Sequence, residues 1–244
     1  MHKGTYYKDK LSANRLLKCY ELASPRMKKY LDAEIQFVIS NIRGAGLVLE
    51  VGCGYGRVLR AVSPFVSMIV GNDISRESLE LAKSYVKPYT KCRIAEMDAS
   101  RMAFRSCIFD AVFCIQNGIS AFGVDRKRLV AESIRVAKTN GLILFSSYSP
   151  KIWEDRLEWF RKQSQVGLLG KIDEEKTRDG IIVCEDGFRA TTVSSDEFVE
   201  LFGNFGMNAS VTEVDQSSIF CKVVKDENAP NSGRRQYLES EFSN

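Results

Sequence analysis

Three glycines at alternate positions, Gly52, Gly54 and Gly56, lie in the segment Glu50-Val51-Gly52-Cys53-Gly54-Tyr55-Gly56-Arg57, where the apolar run LVLEV gives way to helical spacing. Glycine there frees the backbone for dihedrals that other residues resist, and leaves no Cβ between main chain and ligand. Amides at the start of a helix favour an electron-rich group. Asp73 ends the next apolar run, 21 residues after Gly52, where a carboxylate can accept both hydroxyl protons of a ribose. Asp98-Ala99 ends the run after that, where a carboxylate can meet an exocyclic amino group. Singly, the glycines also fit a tight turn and the aspartates fit helix caps, Asp73 before Ser75 and Asp98 before Ser100. Together they outline a nucleoside pocket.

Positioning such groups requires a particular scaffold. Short continuous apolar runs alternate with stretches of helical periodicity, the pattern of βα units in a parallel sheet covered on both faces. Strands are expected at 47–51, 67–73, 91–97, 108–116 and 141–149, with helices at 55–65, 75–86 and 125–138, the last capped by Asp125 and ended by Asn140-Gly141. Leu31, Ile35, Val38 and Ile42 predict an amphipathic helix before the first strand, and an earlier helix near 11–22 is expected over the rim. Ser194 and Glu197 predict a capping box opening a helix with Phe198, Leu201, Phe202 and Phe205 inward and Gly206 at its close. Strands near 207–214 and 218–224, joined by Asp215-Gln216-Ser217, read as an antiparallel hairpin. The expected fold is α/β: a doubly wound, mostly parallel seven-stranded sheet with an antiparallel C-terminal hairpin, an N-terminal helical cap and an insertion after strand five.

A chain of 244 residues, 44% hydrophobic and 27% charged, can bury one large core. A single domain over 1–225 is expected, comprising a helical cap (1–43), a ligand-binding core (44–150), a lid or insertion (151–190) and a C-terminal helix and hairpin (191–225), with a disordered polar tail at 226–244. No run approaches a membrane-spanning length and the first residues lack an apolar leader pattern, so a cytoplasmic protein without membrane contact is expected. Seven cysteines with no C-x-x-C pair point to neither a disulfide framework nor a zinc site, and no metal is expected. Eight lysines and arginines among the first 30 residues make a basic stretch, either a solvated helix face or a surface for nucleic acid.

The motif E-x-G-x-G-x-G, the acidic end of strand two, Asp-Ala after strand three and F-D-A-V leading strand four resemble the class I (Rossmann-like) S-adenosylmethionine-dependent methyltransferases. The resemblance runs from about Leu47 to Tyr148, and the closing helix and hairpin fit that family's antiparallel last strand. It implies S-adenosylmethionine as cofactor. Gly52, Gly54 and Gly56, with Cys53 between them, would line its methionine portion while Glu50 supports the loop; Asp73 would bind the ribose, Ile74 the adenine face, Asp98 and Ala99 the adenine edge, and Gln116 and Asn117 would sit beside the sulfonium. No N-P-P-Y-type motif follows strand four, which disfavours amino methylation of nucleic-acid bases or glutamine. The rival, a nicotinamide dehydrogenase, needs a glycine where Arg57 stands.

Methyl transfer asks the protein to align an acceptor, exclude water and, for neutral acceptors, remove a proton. His2 is the sole histidine, so any base is expected to be a carboxylate or a tyrosine, with Tyr6, Tyr7 and Tyr148 the candidates at the pocket mouth. Trp153, Trp159 and Phe160 read either as core or as an apolar acceptor lid. A small-molecule acceptor is expected; RNA or protein, met through the basic N-terminal face, is the alternative.

Overall fold

The computed structural model of the chain describes residues 6–226. Seven strands form one sheet: β1 (Leu47–Val51), β2 (Met68–Asp73), β3 (Cys92–Glu96), β4 (Phe109–Cys114), β5 (Ala137–Tyr148), β8 (Ala209–Val214) and β9 (Ser218–Val224). Their order is β3-β2-β1-β4-β5-β9-β8. The first five are parallel, and β9 inserts antiparallel between β5 and β8. The hairpin turns on Asp215 and Gln216, both with positive φ (52° and 51°), as a tight two-stranded turn demands.

Alternation along the strands divides the core. Val48, Ala111 and Phe113 face one side, where they pack with Ile35 and Val38 of α3 (Pro25–Ile42), Val58 and Leu59 of α4 (Arg57–Val62) and Leu79 of α5 (Arg76–Val86). Leu49, Val112 and Cys114 face the other, against Leu129 and Val130 of α7 (Arg126–Val136) and Phe198 and Phe202 of α9 (Ser195–Gly203). The capping box of Ser194 and Glu197 is present at the start of α9.

A third apolar body lies over the carboxyl rim of the sheet. Leu11, Cys19, Tyr30 and Leu31 of the N-terminal cap pack there with Trp159, Phe160, Ile182 and Phe188 of the insertion. The cap comprises α1 (Tyr6–Asp9), α2 (Ala13–Glu21) and α3; the insertion comprises α8 (Trp153–Gln165) and the short strands β6 (Ile182–Val183) and β7 (Arg189–Ala190). Helix α2 is tethered at both ends. Ser12 Oγ donates to Glu77 Oε2 of α5 at 2.7 Å, while Trp159 Nε1 donates to the Cys19 carbonyl at 2.8 Å.

Three local expectations differ from the structure. Helix α7 stops at Val136, and Asn140-Gly141 lies inside β5 instead of ending the helix. The Lys225 ammonium supplies the stop, donating to the Ile134 and Ala137 carbonyls at 2.9 Å each, so the helix end needs no glycine; Asn140, at φ 61°, adapts the strand beside the register shift opposite Phe109 and Ala111. Helix α4 begins at Arg57, because Gly56 is left-handed at φ 86°. A short helix, α6 (Gly118–Ala121), follows β4 and was not expected. His2 and nearly all of the 226–244 tail lie outside the described residues. Among the described residues no helix is long and apolar enough to cross a membrane, and no group of three or more His, Cys, Asp or Glu is placed to hold a metal.

Candidate active site

The sheet order reverses between β1 and β4, so the loops that follow these strands diverge and leave a crevice at the carboxyl rim. A cavity of about 1390 Å³, including the part open to solvent, occupies it. Its floor is the glycine loop. Gly52 and Gly54 have φ of 78° and 51°, and a Cβ on Gly52 would come within 2.2 Å of the Phe122 ring. A side chain at residue 52 is thus barred both by backbone conformation and by space.

Asp73 fixes this loop. Its Oδ2 accepts the Gly54 amide at 2.9 Å and its Oδ1 accepts the Ser75 amide at 2.8 Å. Burial pushes the carboxyl up, and the amides of Ser75, Gly54 and Ile74 pull against that rise. Ser75, not Asp73, caps α5 by accepting from Ser78. Asp98 turns Oδ1 to the Ser100 amide and hydroxyl at 2.7 Å.

Buried polar atoms lacking partners gather around the same space. Glu50 Oε2, Arg57 Nη2, Asn72 Oδ1 and Gln116 Nε2 are all in this state, and all four residues line the cavity. Two are acceptors and two are donors. Such atoms are costly to bury, and an amphoteric ligand with an ammonium and a carboxylate matches the set. Burial lifts the Glu50 carboxyl to about 8, against the pull of the Arg57 guanidinium. Arg57 also stacks over the Tyr20 ring at 4.8 Å.

Gln116 and Asn117 take left-handed conformations, φ 56° and 59°, unusual for two successive non-glycine residues. The turn is held from below by Glu34, whose Oε2 accepts the Gln116 amide at 2.7 Å and whose Oε1 accepts the Ser218 hydroxyl at 2.7 Å. Tyr20 closes it from above, donating its hydroxyl to Gln116 Oε1 at 2.8 Å.

Of the residues expected from sequence, Glu50, Gly52, Cys53, Gly54, Asp73, Ile74, Asp98, Ala99, Gln116, Tyr7 and Tyr148 line the cavity. Three stand apart from it. Gly56 sits at the start of α4, where its missing Cβ makes room for Val86. The Asn117 amide turns away, donating to the Thr191 carbonyl at 2.7 Å and accepting from Ser147 at 2.9 Å. Tyr6 is held on the outer side, its hydroxyl donating to Asp186 at 2.6 Å. Trp159 and Phe160 serve as core and cavity wall at once. Sequence reasoning passed over Tyr20, Glu34, Asn72 and Phe122; Glu34 alone left a signal, as a carboxylate within the apolar stripe of Leu31, Ile35 and Val38.

A family model described as "Methyltransferase domain" matches residues 48–141, which span the glycine loop, Asp73, Asp98 and Gln116. Over those residues, less than half of its length, the chain is similar to a methyltransferase domain. Among curated relatives, the domain is similar to an uncharacterized methyltransferase, YcgJ, of Bacillus subtilis, 28% identical over 49% of this chain and 48% of the relative. It is also similar to 2-methyl-6-phytyl-1,4-hydroquinone methyltransferase of Synechocystis, 25% identical over 52% of this chain and 42% of that protein. The chain thus spans about half the length of these two relatives. In fold it is similar to the N-methyltransferase NodS of Bradyrhizobium japonicum in complex with S-adenosyl-L-homocysteine, with a TM-score of 0.63 and 9% identity over 93% of this chain and all of that one. The cradle, the carboxylate of Asp73 and the four orphaned polar atoms fit S-adenosylmethionine as a ligand of this cavity.

Proposed function

We propose that this chain transfers a methyl group from S-adenosylmethionine to a small-molecule acceptor held beneath the cap and the insertion. The observation that carries this reading is the roof: α2 and α8, joined by the Trp159–Cys19 hydrogen bond, stand over the cavity and leave Tyr20, Tyr148, Trp159 and Phe160 facing it.

The cofactor supplies the electrophile, a methyl group on a positively charged sulfur. Glu50 and Asn72 would meet its ammonium, Arg57 its carboxylate, Asp73 the ribose hydroxyls through its remaining lone pairs, and Ile74, Asp98 and Ala99 the adenine. Gln116, locked in its turn by Glu34 and Tyr20, would bound the space around the reacting centre. The aromatic wall excludes water and orients the acceptor, which is where most of the barrier reduction for an in-line displacement arises. Burial raises the hydroxyl pKa of both Tyr7 and Tyr148. A phenol so shifted is a poor base at neutral pH, so these two residues act by touching and aligning the acceptor.

The alternative, RNA or protein methylation through the basic N-terminal stretch, is disfavoured by the partners of that stretch. Arg15 donates to the Gly167 and Leu168 carbonyls at 2.8 Å, Lys10 reaches Asp186, and Arg26 and Lys29 pair with Asp215 at 2.7 Å. Incubation with methyl-labelled S-adenosylmethionine and either a low-mass metabolite fraction or total RNA and protein decides the matter. Label in the low-mass fraction is expected; label confined to macromolecules overturns the proposal.

A further inference from the structure

Arg156, on α8, is 1% exposed. Its Nη1 donates to the Gly180 carbonyl at 2.8 Å, whereas Nε and Nη2 meet no acceptor at full hydrogen-bond geometry and have only the Tyr148 phenol beside them as a polar neighbour. Otherwise it is surrounded by rings, with Tyr148 at 4.3 Å, Phe160 at 5.6 Å and Trp153 at 5.8 Å from the guanidinium to each ring centre. Burial works against its charge, and the phenols of Tyr148, Tyr30 and Tyr7 offset part of that cost. The Tyr30 hydroxyl is itself buried with the Tyr148 phenol as its polar neighbour, and the Tyr30 ring stacks on Tyr148 at 5.0 Å.

The chemistry of this cluster is one-sided. Nε and Nη2 form the side edge of the guanidinium, two roughly parallel N–H donors spaced to meet two oxygens on one centre. The bond to Gly180 fixes the plane of that edge. Phenol hydroxyls beside it can donate as well. A charged fork is costly to bury with two of its nitrogens unmet, and aromatic faces compensate the charge but not the N–H groups. Tyr148 borders both the main cavity and a smaller one, and Arg156 and Trp153 wall the smaller one. Arg156 thus belongs to the smaller cavity, and Tyr148 stands between it and the main one.

We propose that Arg156, with Tyr148, binds an oxyanion on a methyl acceptor that reaches past Tyr148 into the smaller cavity, so that the acceptor is an organic carboxylate or phosphate-type anion whose nucleophilic end points toward the cofactor. This rests on the reading of the cavity as a methyl-transfer site, and it narrows the acceptor to anionic molecules.

The test uses the full chain saturated with S-adenosyl-L-homocysteine, and three probes of similar shape: benzoate, phenylphosphonate and neutral benzamide. Calorimetry or ligand-observed NMR measures their affinities for wild type, Arg156→Lys and Arg156→Met. At least one anion is expected to bind wild type about tenfold or more tightly than benzamide, and both variants are expected to lose that preference. Preference for benzoate identifies a carboxylate, and preference for phenylphosphonate a phosphate-type group. Absence of any anion preference in wild type, including failure of all three probes to bind, overturns the proposal, as does a preference that survives both substitutions. Should Arg156→Met fail to fold, Arg156→Lys and the wild-type comparison decide. S-adenosyl-L-homocysteine binding is read separately: its loss in wild type sinks the cofactor assignment, and its retention within about twofold in the variants shows that only the acceptor end has changed.

Discussion

Glu34, wholly buried in α3, accepts the backbone amide of Gln116 at 2.7 Å and so ties the N-terminal cap to the loop that ends β4. The bond does two things at once. It satisfies a carboxylate shut away from water, and it fixes a left-handed turn that would otherwise relax.

That arrangement makes stability depend on pH. Burial lifts Glu34 from the ordinary 4.5 to about 7 and Glu50 to about 8. Between roughly pH 4.5 and 8 the folded chain holds protons that the unfolded chain has released, so stability is greatest at the acid end of that window and declines as pH rises. Each group contributes at most roughly 3–5 kcal/mol to this decline. Thermal unfolding from pH 5 to 9 is expected to show a falling Tm in wild type and a flatter profile in Glu34→Gln and in Glu50→Gln. Identical slopes in all three proteins would contradict the account.

Gly52→Ala places a Cβ 2.2 Å from the Phe122 ring on a backbone at φ 78°. The expected cost is about 1–3 kcal/mol in urea unfolding, with loss of cofactor binding. Adding Phe122→Ala removes the clash but not the backbone strain, so only part of the loss should return. Full recovery would show that the conformation of Gly52 is unimportant.

Asp73→Asn keeps the size of the side chain but removes the charge and one acceptor from a carboxylate that now serves both Gly54 and Ser75. S-adenosyl-L-homocysteine affinity is expected to fall about 10- to 100-fold, because hydrogen bonds to a charged group contribute about 1.5–3 kcal/mol. An affinity unchanged within twofold would remove Asp73 from the site.

Tyr7→Phe and Tyr148→Phe separate alignment from proton transfer. Because burial raises both phenols, neither variant is expected to shift the pH dependence of kcat, and the main effect should be a rise in the acceptor KM of roughly tenfold. Collapse of kcat with an unchanged KM would instead assign a base.

Much of this was legible from residue types. The strands, the capping box and the hairpin followed from periodicity and turn chemistry, because each is set by neighbours in sequence. The glycine loop, Asp73 and Asp98 were readable because strand ends on one rim must converge. What escaped depends on distant partners. The end of α7 is set by Lys225, remote in sequence and just past β9, and the outward turn of Asn117 by Thr191 and Ser147. Tyr20, Glu34 and Arg156 occupy helical apolar faces where a polar residue looks like an exception until its neighbours are known.

The most direct measurement is calorimetric titration of the full chain with S-adenosyl-L-homocysteine, with NADH as the competitor ligand. The account predicts one-to-one binding of the former that is undisturbed by the latter, and that is lost in Gly52→Ala and weakened in Asp73→Asn. Binding of NADH at the same site, or no heat with S-adenosyl-L-homocysteine, would contradict it.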